Sequence, residues 1–141
     1  MKYLRYIIIF LILSTTFSCQ ESENQSITCD KTVIIDNNLY KNGPDGYFFF
    51  NDVYIEDDCL IIEFSASGCS GESWELALFD AGVVKESYPV QRDIRMSLKN
   101  NEDCLAIFTR TVSFNLIPLR NDDPRIYLNL KDWDELLEYR Y

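Results

Sequence analysis

The spacing of turn residues is the strongest constraint on how this chain can fold. From Thr28 onward, β-branched, aliphatic and aromatic segments alternate with clusters of Asp, Asn, Gly and Pro at intervals of about 8–12 residues. Intervals this short suit strands, and no segment carries a convincing apolar stripe with the helical period. The sequence therefore predicts an all-β domain.

Alternation within the segments indicates which side of each strand is buried. Leu60, Ile62 and Phe64 fall on one face of a strand that opens at Cys59, and Trp74 points inward at the start of the next strand. About seven or eight such strands are typical of an antiparallel β-sandwich of Greek-key or immunoglobulin-like topology, or of a small closed barrel. The C-terminal tail is expected to be a loop that leads into a final strand.

Four local assignments complete the predicted secondary structure. Residues 32–35 form a short strand, residues 36–38 form a turn, and residues 80–82 reverse the chain. Arg110 falls on the inward face of the longest β-like run, residues 104–116. It should therefore lie near the end of a sheet with its head in water, or pair with a carboxylate.

Residues 1–19 have the pattern of an export signal. Lys2 and Arg5 carry the only charges there, residues 7–13 are apolar, and small polar residues follow. The apolar run is well short of the roughly 20 residues that a membrane-spanning helix needs. Ser18-Cys19 resembles the lipobox of bacterial lipoproteins, which implies cleavage after residue 18 and acylation of Cys19. The alternative is an uncleaved anchor, or a secreted protein with a chance cysteine.

The chain thus divides into a signal peptide (residues 1–18), a lipidated flexible tether (19–27) and a single β-sandwich domain (28–141). Cleavage leaves 11 basic and 23 acidic residues, a net charge of −12. Nucleic acid and bare anionic lipid repel such a domain, so the acyl chains must hold it at the membrane. We expect an outer-membrane lipoprotein of the cell envelope, on the periplasmic face or the cell surface.

Four cysteines besides Cys19 remain in a chain bound for an oxidising compartment, which favours two disulfides over a metal site. Cys59 and Cys69 would lie roughly 30 Å apart along an extended strand, too far for a bridge. If the strands that begin at Cys59 and Cys104 run antiparallel, Cys104 meets Cys69, and Cys29 is left for Cys59. A parallel relation would join Cys59 to Cys104 instead, but it is less common in such folds, so we expect the pairs Cys69–Cys104 and Cys29–Cys59.

The chain contains no histidine, which excludes every mechanism that needs an imidazole base or imidazole metal ligand. It has no Ser-x-x-Lys motif, and no pair among its 23 acidic residues is marked out for glycoside hydrolysis. Asp57-Asp58 and Asp122-Asp123 lack the alternating oxygen ligands of a calcium loop and are interpreted as solvated turns. We therefore predict no enzyme activity, no catalytic residue, no cofactor and no metal.

Residues 47–50 are four aromatics in succession, which cannot all face one side of a strand. At least one should be exposed or packed against a loop. The favoured interpretation is a strand buried on both faces. The functional alternative is an aromatic platform for sugar rings beside Asp45 and Asp52.

Short motifs mark the ends of the strands between residues 59 and 141. They are Gly68-Cys69, Trp74-Glu75-Leu76, Asp103-Cys104-Leu105-Ala106, and residues 114–119, 128–130 and 139–141. In this order they resemble a group of small uncharacterised lipoproteins of Bacteroidetes-type bacteria. Glu72 stands where those relatives often have a histidine, so no role of that histidine carries over. The resemblance implies a layout and no activity.

Two classes of function fit these features. The first is a non-enzymatic binding module of the envelope whose partner is a protein or a glycan. The second is an inhibitor or immunity-type protein that neutralises a cationic enzyme such as a lysozyme. Ser70-Gly71-Glu72-Ser73-Trp74 resembles the Ser-Gly-x-x-Tyr loop of lysozyme inhibitors, with Trp in place of Tyr. A complex with a basic enzyme should weaken as ionic strength rises.

Overall fold

A computed structural model describes residues 28–85 and 87–141 of the chain. The predicted signal peptide (1–18), the Cys19 acylation site and the tether (19–27) lie outside the described residues. Within the described part, no helix has both the length and the apolar character needed to cross a membrane.

The described residues form nine strands in two sheets. The strands are β1 (Lys31–Thr32), β2 (Ile34–Ile35), β3 (Phe49–Glu56), β4 (Cys59–Gly68), β5 (Glu75–Lys85), β6 (Gln91–Lys99), β7 (Ala106–Asn115), β8 (Arg125–Leu130) and β9 (Leu136–Arg140). Sheet A has the order β1-β7-β4-β3 and sheet B the order β2-β5-β6-β8-β9. The pairs are antiparallel except β1–β7, β2–β5 and β6–β8, which are parallel. The all-β prediction is confirmed, and two separate sheets correspond to a sandwich and not to a closed barrel.

The core lies between the two sheets and is built by the inward faces of their strands. In β4, Leu60, Ile62 and Phe64 are fully buried, as the alternation predicts. Strand β6 supplies Ile94 and Met96 from the opposite sheet. Burial of apolar surface contributes about 25 cal/mol per Å², so these interdigitated faces are the main stabilising element of the sandwich.

The predicted strand at residues 32–35 is in fact two short strands in different sheets. Thr32 pairs with Asn115 in sheet A, whereas Ile34 pairs with Phe79 in sheet B. Val33, only 4% exposed, is the residue at which the chain crosses from one sheet to the other. A run of β-branched residues predicts a single strand, because the sequence does not show where the pairing partner changes.

Residues 80–82 do not reverse the chain, and the prediction of a turn there is wrong. They lie inside β5, where the register with β6 shifts between Asp80 and Val84. Gly82 takes a φ of 70° in this bulge, a conformation that glycine adopts without steric cost. The sequence Asp80-Ala81-Gly82 therefore marks a β-bulge and not a turn.

A short helix, α1 (Asn37–Asn42), replaces the turn predicted at residues 36–38. The side chain of Asp36 caps it by accepting a hydrogen bond from the backbone N–H of Leu39. Arg95, on the outer face of β6, then donates to the carbonyls of Leu39 and Tyr40 at 2.8 and 2.7 Å. Arg95 thus ties the end of α1 to sheet B.

Two disulfides join the pairs expected from the sequence. Cys29 is bonded to Cys59 and Cys69 to Cys104, with Cα atoms 5.6 and 4.8 Å apart. Strands β4 and β7 run antiparallel over their whole length, from Cys59 opposite Asn115 to Gly68 opposite Ala106. This register brings Cys69, just after β4, next to Cys104, just before β7.

Candidate functional site: an aromatic and acidic cleft

A cleft of about 420 Å³ opens between the start of β3 and the turn that joins β8 to β9. Residues 48–50 form one side and residues 132–135 the other. Strand β3 is the edge of sheet A and β9 the edge of sheet B, and the two strands are in contact. The cleft therefore lies where the edges of the two sheets meet, and its volume falls within the usual range for small-ligand sites.

The wall of the cleft is a chain of edge-to-face aromatic contacts that is anchored in the core. Phe48 lies 5.2 Å from Phe50, ring centre to ring centre, at an interplanar angle of 78°. Phe50 in turn lies 5.9 Å from Trp133 at 79°. Phe48 also contacts the fully buried Phe64 at 6.0 Å. Such contacts favour fixed ring positions, so the wall is pre-organised.

The register of β3 decides which aromatic faces where. Phe50 is opposite the buried Phe64 and points inward, whereas Phe49 is opposite Ser65 and is 47% exposed. Tyr47, before the strand, is 82% exposed. The expectation that at least one of these aromatics is exposed is confirmed. The favoured interpretation, a strand buried on both faces, is wrong because β3 is an edge strand whose outer face is open.

The opposite side of the cleft is a tight turn with alternating side chains. Asp132 has a φ of 66°, and the N–H of Trp133 donates to Leu130 O at 3.2 Å. This geometry sends the half-buried Trp133 toward the aromatic wall and leaves Asp132, Asp134 and Glu135 exposed at the rim. An Asp in the left-handed region costs less than most residues, because its short polar side chain tolerates that backbone.

The rim is strongly negative. Asp132 lies 3.9 Å from Lys131 Nζ, but neither Asp134 nor Glu135 forms an ion pair with any described residue. The residues that line the cleft include three acids, four aromatics and no base. Aromatic faces and carboxylates attract cations together, the rings through their quadrupole and the acids through their charge.

The functional alternative drawn from the sequence is an aromatic platform for sugar rings beside Asp45 and Asp52, and the structure places both of these acids outside the cleft. Asp45 accepts a hydrogen bond from Arg95 at 3.3 Å, and Asp52 accepts one from the N–H of Val53 at 2.9 Å. Neither acid lines the cleft. The acids that do so come from residues 132–135, a segment that the sequence analysis did not single out. Its signal was the run Asp-Trp-Asp-Glu between two predicted strands.

The loop that resembles a lysozyme-inhibitor motif is held by Glu102. One carboxylate oxygen of Glu102 accepts from the backbone N–H groups of Cys69, Ser70 and Gly71 at 2.6, 3.0 and 2.9 Å. The other accepts from the hydroxyl of Ser73 at 2.7 Å. The bond from Ser73, followed by those from Ser70 and Gly71, lowers the pKa of Glu102 to about 2. These backbone N–H groups therefore stabilise the conformation of the loop itself.

Arg110 lies beside the same loop. Its inward position in β7 is opposite Phe64, yet the residue is exposed and donates to the carbonyl of Ser70 at 2.8 Å. Its side chain is exposed, as expected, but Arg110 lies in the middle of β7 (Ala106–Asn115) and not near the end of the sheet. The alternative of a carboxylate partner is not seen among the described contacts.

One of the two acidic pairs interpreted as solvated turns has a structural role. Asp58 accepts hydrogen bonds from the Tyr139 hydroxyl, at 2.6 Å, and from Arg120. Burial and the bond to Asp58 raise the pKa of Tyr139 to about 12. The network joins the β3–β4 turn to the C-terminal strand. Within residues 28–85 and 87–141, no group of three Cys, Asp or Glu side chains is placed to hold a metal ion.

No protein-family profile and no curated protein matches this sequence. The fold is similar to three solved structures. One is a protein of unknown function (DUF1344) from Bacteroides vulgatus, with 18% identity and a TM-score of 0.51, covering 79% of this chain and 55% of that one. Another is a NigD-like immunity protein from Bacteroides caccae, with 12% identity and a TM-score of 0.54, covering 82% and 60%.

The third is a toxin-related protein from Parabacteroides distasonis, with 17% identity and a TM-score of 0.50, covering 79% of this chain and 59% of that one. The chain thus spans little more than half the length of these structures. At such identities the likeness shows a shared fold. It is consistent with a group of β-rich Bacteroidetes proteins, one of them of unknown function.

Proposed function

We propose that this protein is a non-enzymatic binding protein of the cell envelope whose partner is a basic protein, in the manner of an immunity or inhibitor protein. The observation that carries the proposal is the cleft. It presents three carboxylates and four aromatic side chains, without a basic residue, at an open edge of the sandwich. A concave site of this chemistry suits recognition of a cationic surface.

The charge of the whole chain supports a basic partner. The full sequence has a net charge of −10, and cleavage after residue 18 would make it −12 by removing two basic residues. A strongly negative protein attracts a cationic one over about a Debye length, roughly 8–10 Å at physiological salt. The cleft would then supply the short-range contacts that select one basic partner among many.

The solved structures of similar fold are the second support. One is described as a NigD-like immunity protein and another as toxin-related. Because the identities are 12% and 17%, we treat a role in immunity as a hypothesis for this chain. It agrees with the proposal because immunity proteins bind and neutralise a partner without catalysis, and this chain has no histidine.

The experiment is capture of a partner from native envelope with the acylated protein as bait. The cleft variant is Asp134→Asn with Glu135→Gln. The matched control is Asp57→Asn with Asp122→Asn, which removes the same charge at two exposed sites elsewhere. We expect a basic protein that the wild type and the control retain at low salt, and that the cleft variant loses.

Rising ionic strength should also release that protein. A partner that is acidic, or retention that salt does not affect, would overturn the proposal. Retention of a glycan instead of a protein would favour the other class of partner, because the exposed rings of Tyr47 and Phe49 could stack on sugars.

A further inference from the structure

We propose that the cleft receives a single arginine side chain, stacked on the ring of Trp133 or Phe50 and hydrogen-bonded to Asp134 or Glu135. The inference rests on the proposed function and specifies the group by which the basic partner is recognised. It commits to arginine, and lysine and sugar become outcomes of the test.

The chain itself uses this arrangement twice. Arg120 lies over the ring of Tyr141, 5.0 Å from its centre, while it donates to the carboxylate of Asp58. Arg95 lies 5.7 Å from the centre of the Phe79 ring and 3.3 Å from Asp45. In both places a guanidinium lies over an aromatic face and beside an aspartate, and Arg95 is in addition held by the carbonyls of Leu39, Tyr40 and Pro44.

The cleft also brings aromatic rings and carboxylates together, and two of its three acids have no cation among the described residues. Trp133 and Phe50 form a pre-organised edge-to-face pair, and Asp134 and Glu135 follow Trp133 directly in the chain. Neither of these two acids forms an ion pair with a described residue. An incoming guanidinium would therefore not have to displace an internal partner.

Arginine fits this site better than lysine for a geometric reason. A guanidinium is planar, so it can stack on a ring with its face while its edge donates two parallel hydrogen bonds to a carboxylate. An ammonium is compact and strongly hydrated, and it gains less from an aromatic face. Indole is the ring that attracts cations most strongly, and Trp133 provides one at the cleft.

The two tryptophans of the chain make the test specific. Trp133 lines the cleft, whereas Trp74 packs against Phe64, 5.9 Å between ring centres, and does not line it. Both indole N–H groups are buried and have no acceptor among the described residues. Each gives one resolved signal in an ¹H–¹⁵N spectrum, so Trp74 is an internal control for Trp133.

The probes are three short blocked peptides, Gly-Gly-X-Gly-Gly with X as arginine, lysine or citrulline. We expect the arginine peptide to shift the Trp133 indole signal saturably, with a dissociation constant on the order of 1 mM. Lysine should bind several-fold more weakly, and citrulline, which is planar but neutral, should not bind measurably. The Trp74 signal should stay in place.

Substitutions then assign the effect to the rim. Asp134→Asn with Glu135→Gln should weaken arginine binding about tenfold or more, while Asp57→Asn with Asp122→Asn should leave it within about twofold. Equal binding of arginine and lysine, equal loss in both variants, or binding of citrulline would overturn the inference. So would a shift of Trp74 as large as that of Trp133.

The outcome is separable from that of the partner experiment. If a basic partner is captured and the cleft variant loses it, but the arginine peptide does not bind the cleft, the proposed function stands and this inference fails alone. If the arginine peptide binds the cleft but no basic protein is captured from the envelope, the proposed function fails and the site remains.

Discussion

At the scale of single residues, a buried acid and a buried base form a hydrogen-bonded ion pair. Asp80 is fully buried, and Arg92 is 8% exposed. Arg92 donates to both carboxylate oxygens of Asp80, at 2.9 and 2.7 Å, and the N–H of Gly82 donates to one of them at 2.7 Å. Such a pair contributes little net stability, because desolvation offsets the attraction, but removal of one partner is costly.

Asp80→Leu should therefore lower the free energy of unfolding by about 3–5 kcal/mol, because it leaves the guanidinium of Arg92 buried without a carboxylate. Adding Arg92→Met should recover most of that loss. The exposed pair of Lys99 and Glu75 is the control, and Glu75→Gln should cost no more than about 1 kcal/mol. Urea denaturation measures all of these variants. A double variant no more stable than Asp80→Leu would contradict the argument.

Glu102 makes the stability of the fold sensitive to acid. Its pKa falls from 4.5 to about 2 in the folded protein, chiefly through the bond from Ser73. A carboxyl whose folded pKa is depressed stabilises the fold fully above its unfolded pKa. That contribution is lost as pH falls toward the folded value.

Wild type should accordingly lose stability relative to Glu102→Gln as pH falls from about 5 to about 2. The difference between the two proteins should be constant above that window. Thermal melting at a series of pH values measures it, and taking the difference cancels the other carboxylates. A difference that does not change across the window would show that Glu102 makes no such contribution.

At the scale of elements, the two disulfides act on different parts of the sandwich. Cys69–Cys104 joins the end of β4 to the start of β7, both in sheet A. Cys29–Cys59 ties the segment before β1 to the start of β4. The enclosed separations are similar, 35 and 30 residues, so the chain-entropy model gives each about 4 kcal/mol.

Replacing both cysteines of one bridge with serine, one bridge at a time, should show how much each disulfide contributes to stability. Cys59 is fully buried, so its hydroxyl replacement adds a desolvation cost that the exposed Cys69 does not incur. We expect the Cys29–Cys59 variant to be the less stable one in urea. Peptide mapping without reductant should first identify Cys29–Cys59 and Cys69–Cys104 in the exported protein. A Cys59–Cys104 peptide would show the topology to be wrong.

The elements also show how far the sequence predicts this fold. Strand β4 was predictable, because Leu60, Ile62 and Phe64 alternate and sheet A buries that face. Helix α1 was not, because the carbonyls at its end are held by Arg95, which is distant in the chain. The sequence around Gly82 predicts a turn where the structure has a bulge, because glycine permits both and the pairing with the neighbouring strand decides between them.

At the scale of the whole molecule, the cleft could not be predicted from the sequence. Residues 48–50 and 132–135 are distant in the chain and meet only because β3 and β9 are the edges of the two sheets on the same side of the sandwich. The composition showed that acids and aromatics are present, and the alternation of apolar and polar residues located the strands. Which sheet edges come together depends on strand order, and no local pattern encodes that order.

The first described residues of the chain are held to the sandwich at once. The structure describes the chain from residue 28, and Cys29 is at once fixed to Cys59. If Cys19 is acylated, nine residues of sequence separate it from Cys29, the first cross-linked residue of the domain.

Acylation at Cys19 can be tested on the membrane-extracted protein. Its intact mass should correspond to a chain that begins at Cys19 and carries acyl chains. The reason is that Lys2, Arg5 and the apolar residues 7–13 resemble an export signal that ends at a lipobox. Cys19→Ala should release the protein from washed membranes, since the acyl chains are the proposed anchor and anionic lipid repels the negatively charged domain. Cys29→Ser with Cys59→Ser is the control for loss of a cysteine, and it should remain membrane-bound. A mature protein that begins elsewhere, or a Cys19→Ala variant that stays with the membrane, would refute acylation as the anchor.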